Sequence, residues 1–532
     1  MNTQEITISV VEEGISFDII TSHEENILAA LIRHGVYFSA ACGGKGRCGK
    51  CKIRLTKGNL AISSSDEKYF SAEELAAGYR LACCAYPSAN VSIVLEFAPE
   101  EDFEIQVGHT KEQAIGADKV ADTLTDANHT GTSYDIAIDI GTTTIAFQLM
   151  ETKGRQPINS YATLNRQRAY GADVISRIQA SCEGKGDELR SSIQGDLLTG
   201  IKFLVVDTGI LPTQIERIAI GANTTMGHLL MGYDCAGLGI YPFTPVDISL
   251  QEWTFEKVMN SDYCKAIVTL LPGISTYVGG DITAGLYSCG FDKNDDVCLL
   301  VDLGTNGEMA IGNRQRIVTT STAAGPAFEG GNISWGMGSV KGAICHVEIE
   351  EDKTVVQTIG EAAPIGICGT GVIETIAELI DKEYVDETGR LAEEYFEEGF
   401  VLAKAPAGKK ITFTQKDVRE IQLAKSAVRA GIEVLLRRFG VTYEQVKKVY
   451  LAGGFGFHIS QEKSMIIGLL PPEFAGKIDA VGNSSLGGAL RYLQEDGKEV
   501  ITGIREICEE IDLSTDADFN DLYMDYMFFD TV

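Results

Sequence analysis

Five cysteines near the start of the chain have the spacing of metal ligands. Three lie in the glycine-rich stretch Cys42-Gly-Gly-Lys-Gly-Arg-Cys48-Gly-Lys-Cys51, and two adjacent ones follow in Arg80-Leu-Ala-Cys83-Cys84. Four thiolates can surround either a zinc ion or an iron–sulfur cluster. Zinc sites usually combine two Cys-x2-Cys pairs, and the last two cysteines do not form such a pair. The spacing therefore favours an iron–sulfur cluster.

The stretch resembles the cysteine loop of adrenodoxin-type ferredoxins, because five residues separate Cys42 from Cys48 where plant-type ferredoxins have four. The resemblance implies a [2Fe–2S] cluster held by Cys42, Cys48, Cys51 and Cys83, the last through its Arg-Leu-Ala-Cys setting. Cys84 remains open as an alternative fourth ligand. The loop glycines would let backbone N–H groups approach the sulfurs and tune the potential.

The elements around these cysteines predict a small sheet wrapped on a helix. Apolar and β-branched residues predict a hairpin, a helix, a strand, a short helix and a last strand, at 5–20, 24–34, 51–55, 72–77 and 91–97. This order is typical of a β-grasp ferredoxin domain, which we assign to residues 1–97. The acidic residues 98–132 predict a linker.

Two later segments place an aspartate and a hydroxyl-rich turn directly after an apolar strand. They are Asp139-Ile-Gly141-Thr142-Thr143-Thr144 after strand 136–140, and Asp302-Leu-Gly304-Thr305-Asn306-Gly307 after strand 297–303. Backbone N–H groups in such turns bind phosphate oxygens, and the aspartate can hold Mg²⁺ through water. One such turn would be weak evidence, but two of them predict a site for nucleotide phosphates.

A third segment, Leu451-Ala-Gly453-Gly454-Phe-Gly456, follows strand 446–451, and its small residues would let a nucleoside lie against the backbone. The order of the three segments resembles the superfamily of acetate kinases, sugar kinases, heat-shock chaperones and actin, in which two related domains close on ATP. The resemblance implies a duplicated, ribonuclease H-like ATPase, which we assign to residues 133–515. No G-x4-G-K-[ST] motif is present, so the chain is not a P-loop ATPase.

The same resemblance adds three candidate site residues. Asp281, in Gly279-Gly280-Asp281, would orient water or Mg²⁺ together with Asp139 and Asp302 as the catalytic carboxylates. Gln422 and Lys425, on the predicted helix 414–436, would contact the ribose, although a solvated helix face explains them equally well. Two glycine-rich segments are not counted among the candidate site residues: 321–331 could close on the nucleotide, and 366–371 opens a predicted helix whose N-terminus could bind an anion.

Composition excludes several classes of function. The chain has 532 residues and a formal net charge of -30, which argues against nucleic acid or an anionic membrane as a partner. It contains neither a stretch of about 18 apolar residues nor a signal peptide, so we expect a cytoplasmic protein whose cysteines are reduced. We expect an α/β and α+β multidomain fold that ends in a tail at 516–532.

Taken together, the motifs resemble the reductive activators of corrinoid-dependent methyltransferase proteins. That family combines the cysteine loop and both Asp-x-Gly-Thr turns with Ala-Ala-Gly-Pro-Ala-Phe-Glu-Gly and Leu-Ala-Gly-Gly-Phe-Gly segments, all of which occur here. The resemblance implies that ATP drives one electron from the cluster to Co(II) of a corrinoid protein and restores Co(I). It also implies an external low-potential electron donor and allows a homodimer. The alternatives are a sugar- or acetate-type kinase with a redox-sensing ferredoxin domain, and a nucleotide-gated binding module.

Overall fold

A computed structural model describes most of the chain and leaves out the ends and several short segments. The described residues are 5–12, 15–34, 36, 44, 46, 49, 51–95, 131–350, 353–406, 408–454, 456 and 459–529. Two of the predicted cluster ligands, Cys42 and Cys48, and nearly all of the predicted linker lie outside them. None of the described helices is long and apolar enough to cross a lipid bilayer.

The N-terminal part forms one five-stranded sheet in the order β2-β1-β5-β3-β4, with β1 and β5 parallel and the other neighbours antiparallel. The elements are β1 (Ile6–Glu12), β2 (Ile15–Thr21), α1 (Ile27–Arg33), β3 (Lys52–Lys57), α2 (Ser64–Tyr69), α3 (Ala72–Ala76), β4 (Tyr79–Leu81) and β5 (Val91–Leu95). Alternate residues of the strands and one face of α1 share a single apolar core. The β-grasp prediction is confirmed, and α2 and β4 are additions to it.

The middle part forms a six-stranded sheet in the order β10-β11-β9-β6-β7-β8. Its elements are β6 (Tyr134–Ile140), β7 (Thr144–Glu151), β8 (Pro157–Leu164), α4 (Val174–Ala180), α5 (Gly186–Thr208), β9 (Ile215–Ala222), α6 (Thr224–Met231), α7 (Ala236–Gly239), β10 (Gln251–Thr254), α8 (Phe255–Met259), β11 (Ile267–Leu270) and α9 (Gly280–Ser288). Strand β6 is buried on both faces because it is central and helices cover the sheet.

The last part forms a second six-stranded sheet in the order β21-β20-β12-β13-β14-β22, together with two smaller sheets. Its elements are β12 (Val297–Leu303), β13 (Gly307–Asn313), β14 (Arg316–Thr322), β15 (Ala343–Glu350), β16 (Lys353–Thr358), β17 (Gly366–Ile367), α10 (Gly369–Asp381), β18 (Phe400–Lys404), β19 (Lys410–Phe413), α11 (Gln415–Phe439), β20 (Val446–Ala452), α12 (Gln461–Ile466), β21 (Ile478–Gly482), α13 (Ser484–Glu495), α14 (Lys498–Glu506), β22 (Cys508–Glu510) and α15 (Phe519–Asp525).

The two six-stranded sheets repeat one topology. In each, three consecutive strands form an antiparallel meander, and two later strands add in parallel beside the first strand of the meander. Strands β6 and β12 therefore occupy equivalent positions, and so do the turns that follow them. The predicted duplication is confirmed by this shared strand order.

Candidate functional site

Two of the four predicted cluster ligands lie among the described residues, and their thiols are adjacent. The Sγ atoms of Cys51 and Cys83 are 3.3 Å apart, whereas Cys84 Sγ lies 3.7 Å from Cys83 Sγ. The hydrogen bond with Cys51, burial and the charge of Cys51 all raise the pKa of Cys83. Two thiolates therefore cannot share this site without a cation that compensates them.

Helix α2, which the sequence pattern did not reveal, fixes the position of Cys83. A capping box of Ser63 and Asp66 begins the helix, and the buried Asp66 Oδ1 also accepts a hydrogen bond of 2.7 Å from the backbone N–H of Leu81. This bond anchors the end of β4 two residues before Cys83. The neighbouring Cys84 is turned toward Gly46, where an added Cβ would lie 2.9 Å from its sulfur.

The first predicted phosphate loop is a tight hairpin between β6 and β7. The backbone N–H of Gly141 donates to the carbonyl of Thr144 over 2.9 Å, and the turn contains Thr142 and Thr143. Asn165 supports it from the interior by donating from Nδ2 to the Gly141 carbonyl over 2.9 Å. The Thr142 hydroxyl accepts a hydrogen bond from the side chain of Asn223, which follows β9.

The second predicted loop is the equivalent hairpin between β12 and β13, and the predicted nucleoside loop touches it. The N–H of Gly304 donates to the carbonyl of Asn306, and Gly307 begins β13. A Cβ on Gly453 would lie 2.4 Å from the Leu303 carbonyl oxygen. This contact, with a φ of 93° at Gly453, leaves room for glycine alone. Gly454 faces open space.

The N-termini of α9 and α13 bring further polar groups to the two loops. Asp281 lies in the first turn of α9, and Asn483, the N-cap of α13, donates from Nδ2 to Asp139 Oδ2 over 2.8 Å. The hydroxyls of Ser484 and Ser485 face Asp302 and Asp139 and oppose the rise in their pKa values. The structure thus brings all three predicted carboxylates to one place.

The three carboxylates lie close enough for their charges to act on one another. Burial and the charge of Asp139 raise the pKa of Asp281 to about 7, and burial with the charges of Asp281 and Asp139 raises the pKa of Asp302 to about 7. Burial also raises the pKa of Asp139. We call the site formed by the two loops and these carboxylates the cleft. Its concentrated negative charge strongly favours the binding of a cation.

Two further carboxylates, Glu308 and Glu329, belong to this site and were not predicted. Glu308 is the cross-strand partner of Asp302 in the hairpin, and burial with the charges of Asp281 and Asp302 raises its pKa well above the usual value. Glu329 Oε2 accepts a 3.1 Å hydrogen bond from the Thr305 hydroxyl. The hairpin register could have revealed Glu308, whereas Glu329 arrives from the glycine-rich segment 321–331, which we expected to close on the nucleotide without naming a residue of it as a site residue.

The described carboxylates do not form a ready-made cluster of metal ligands. In the described part of the chain, no three His, Cys, Asp or Glu side chains are arranged to ligate one metal ion. A Mg²⁺ ion keeps several of its waters in most nucleotide sites. The arrangement therefore suits a hydrated cation, as the sequence predicted for the two aspartates.

The side chains of Gln422 and Lys425 are engaged away from the carboxylates. Both are buried on α11, where Gln422 Nε2 donates to the carbonyl of Met527 over 2.7 Å and Lys425 Nζ donates to that of Phe528 over 2.5 Å. The ammonium of Lys425 also lies over the ring of Phe529, 4.8 Å from its centroid. The C-terminal segment covers them, and their contact with ribose stays a prediction.

Comparison with known proteins agrees with this architecture. The family described as the RACo middle region matches residues 134–294, and the C-terminal domain of RACo, the ASKHA domain, matches residues 296–532. The chain belongs to the RACo family. A third description, the 2Fe-2S iron-sulfur cluster binding domain, matches residues 11–88 and identifies the cysteine-bearing part of this RACo-family chain.

Relatives of this RACo-family chain match over about three quarters of its length or more. The corrinoid activation enzyme RamQ of Eubacterium limosum is 29% identical over 97% of this chain and 98% of its own. The [Co(II) methylated amine-specific corrinoid protein] reductase of Methanosarcina barkeri is 26% identical over 74% of this chain and 76% of its own. The solved structure of a reductive activator for corrinoid,iron-sulfur protein is 28% identical, with a TM-score of 0.69 and 98% coverage of both chains.

Proposed function

We propose that this chain is an ATP-dependent reductive activator of a corrinoid protein. One observation carries the proposal: a single chain combines two sites. A ferredoxin domain holds an adjacent pair of thiols, and buried carboxylates lie at two duplicated loops that are suited to phosphate. RamQ and the corrinoid protein reductase are named for activation and reduction of corrinoid proteins, which supports this reaction over the kinase alternative.

The thiol pair fits a [2Fe–2S] cluster. Two thiolates on one tetrahedral metal lie about 3.7 Å apart, and the 3.3 Å between Cys51 and Cys83 requires only a small adjustment. We assign Cys42, Cys48, Cys51 and Cys83 as the ligands. When bound, the cluster supplies the single electron that converts Co(II) to Co(I). The protein's part is to hold the thiolates, exclude water and donate backbone N–H groups to the sulfurs.

The cleft fits the phosphates of ATP and a hydrated Mg²⁺. The turn 141–144 and the turn 304–307 would hold the phosphates through backbone N–H groups and hydroxyls, with Asp139, Asp281 and Asp302 holding the waters of the cation. The loop at Gly453 and Gly454 would receive the nucleoside. Binding across both halves favours a closed arrangement of the two sheets, because each half contributes only part of the site.

ATP is needed because the electron transfer runs uphill. Plant-type clusters have potentials near about −400 mV, and the Co(II)/Co(I) couple of corrinoids lies lower. Each ~59 mV of deficit lowers the equilibrium constant of a one-electron step tenfold. Closure on nucleotide can offset this if the closed state binds the Co(I) form of the partner more tightly. We also propose an external low-potential donor, a cytoplasmic location and a homodimer, the last of which light scattering would test.

Visible spectroscopy tests the proposal directly. A Co(II) corrinoid protein is mixed with this protein, a reductant and ATP, and the appearance of Co(I) is followed with ATP omitted as the control. We expect Co(I) only in the complete mixture, and an ATPase rate that rises with the Co(II) partner. Formation of Co(I) at the same rate without ATP, or its absence from the complete mixture, would overturn the proposal.

Cys83 and Cys84 provide a matched pair of variants for the cluster. Cys83→Ala is expected to abolish the visible absorbance and EPR signal of the [2Fe–2S] cluster, whereas Cys84→Ala should keep both. The reverse result would make Cys84 the fourth ligand and leave the corrinoid reaction untouched. Loss of the cluster in both variants would point to a structural role for the dipeptide as a whole.

A further inference from the structure

A buried arginine lies directly behind the first phosphate loop. Arg177, on α4, is 0% exposed, and its guanidinium donates from Nη2 to the carbonyl of Thr142 over 2.5 Å. It also donates from Nε to the carbonyl of Gly171 over 2.9 Å and contacts the sulfur of Met226 at 3.2 Å. Among the described residues these are its partners, and none of them is a carboxylate.

Burying a cation that forms no ion pair lowers the stability of the fold. We therefore expect the charge at this position to serve a function. Burial lowers the pKa of Arg177 to about 9, which still leaves the side chain protonated at neutral pH. The charges of Asp173 and Asp196 raise its pKa, and the charge of Arg168 lowers it, by less than burial does. The positive charge is therefore present, and it is presented to the loop.

The hydrogen bonds of Asn165 and Arg177 determine how the loop is oriented. Both side chains are 0% exposed, so the carbonyls of Gly141 and Thr142, which accept from them, point into the interior. In a planar trans peptide the next N–H points opposite to the carbonyl. The N–H groups of Thr142 and Thr143 therefore point outward, and neither donates to another group among the described residues.

We propose that Arg177 is a positioning residue that makes the turn 141–144 an anion site, by holding the Thr142 carbonyl inward and placing a positive charge behind the outward N–H groups. The inference rests on the proposed function, since it assumes that the anion is the phosphate chain of a nucleotide. It assigns this role to the first loop alone, because the second loop has Glu329 at Thr305 in place of a cation.

Calorimetric titration of the full-length protein with two ligands tests the assignment. The ligands are AMP-PNP with Mg²⁺, which carries the phosphates, and adenosine, which lacks them. We expect Arg177→Met to weaken AMP-PNP binding at least tenfold and adenosine binding less than twofold. Arg177→Lys, which keeps the charge but loses the forked donor, should recover part of the AMP-PNP affinity.

Arg190→Met is the matched control for loss of a structural arginine. Arg190 donates from Nε to the carbonyl of Leu230 and has no contact with the loop, so both ligand affinities should stay within twofold of the wild type. If Arg177→Met does not fold, as judged by circular dichroism, the comparison is made on Arg177→Lys, with a smaller loss expected for AMP-PNP alone.

The outcomes separate this inference from the proposed function. If the wild type binds AMP-PNP and the Arg177 variant that folds loses both ligands equally, or neither, the arginine is merely structural and the inference is wrong. If the wild type itself binds neither ligand, the nucleotide site is wrong and the proposed function falls with it.

Discussion

Substitution of Gly488 by alanine is expected to displace the two helices that bring polar groups to the nucleotide cleft. Helices α9 and α13 cross through small residues, and a Cβ on Gly488 would lie only 1.9 Å from the carbonyl oxygen of Ala284 and 2.7 Å from its Cα. Both are backbone atoms of α9, so no side-chain rotation can relieve the overlap. The helices must move apart by about an ångström or more.

The displacement acts on the site because both helices begin there. Asp281 is three residues before Ala284 on α9, and Asn483, which binds Asp139, caps α13. Misplacement of catalytic groups by about 1 Å can cost about a hundredfold in rate, and overpacking costs about 1–3 kcal/mol of stability. We therefore expect Gly488→Ala to lower the ATPase rate at least tenfold and to lower the apparent Tm by several degrees.

Two further glycines, one beside Gly488 and one on α14, supply graded controls for a phosphate-release assay and for thermal unfolding. A Cβ on Gly487 would meet the hydroxyl of Ser288 at 2.6 Å, which can rotate away, so Gly487→Ala should change the rate less than threefold. A Cβ on Gly503, within α14, has no neighbour within 4 Å. Gly503→Ala should leave the rate unchanged and stabilise the chain by up to about 1 kcal/mol.

The Tm and the ATPase rate of Gly488→Ala test two different consequences of the close helix crossing. An unchanged Tm and an unchanged rate would refute the close crossing itself. A lower Tm with an unchanged rate would show that the crossing is real but that it does not position Asp281 and Asn483.

Three further predictions concern the carboxylates and the C-terminal segment. Binding of Mg²⁺ with AMP-PNP should strengthen about tenfold or more from pH 6 to pH 8. Asp281 and Asp302, with pKa values raised to about 7, hold protons at pH 6 that the cation must displace. Calorimetry in buffers of different ionisation enthalpy would detect the released protons, and an affinity that does not change with pH would contradict the prediction. Glu329→Gln should raise the apparent Tm, because burial disfavours the ionised form of the Glu329 carboxyl. The same substitution should weaken Mg²⁺ binding several-fold. A lower Tm for the variant would contradict the prediction. Phe529→Ala should lower the free energy of unfolding by about 3–5 kcal/mol, because the side chain of Phe529 is 0% exposed. Phe528→Ala, at a position that is 49% exposed, should change the free energy of unfolding by less than about 0.5 kcal/mol. Equal effects of the two variants in urea denaturation would refute the packing of this segment.

Residues that act within one continuous motif were predictable from the sequence. The strand before the second phosphate loop was predicted at 297–303 and is observed at Val297–Leu303, and the helix predicted from its Thr414 and Asp417 capping box is observed as α11. Strand, aspartate and turn are neighbours in the chain, so spacing alone specifies their geometry.

Residues that reach the site through tertiary contacts were not predictable in this way. Glu308 faces Asp302 only because the hairpin register pairs them, and Glu329 reaches Thr305 from 24 positions farther along the chain. Lys425 carries no local signal that the C-terminal segment will bury it against the carbonyl of Phe528. Helix α2 was missed because it is short and polar, and its capping box is its only signature.

The two halves share a topology but differ in charge at equivalent positions. In the first hairpin the cross-strand partner of Asp139 is Ala146, whereas in the second the partner of Asp302 is Glu308. Arg177 lies behind the first loop, and Glu329 lies against the second. Duplication thus explains the matched geometry of the two loops, both of which we propose hold phosphates. The differing residues place a positive charge behind the first loop and additional carboxylates at the second, so we expect the phosphates to be held more tightly at the first loop and the hydrated cation to lie nearer the second. A ligand that carries both, such as a magnesium nucleotide, has one favourable orientation across the two halves.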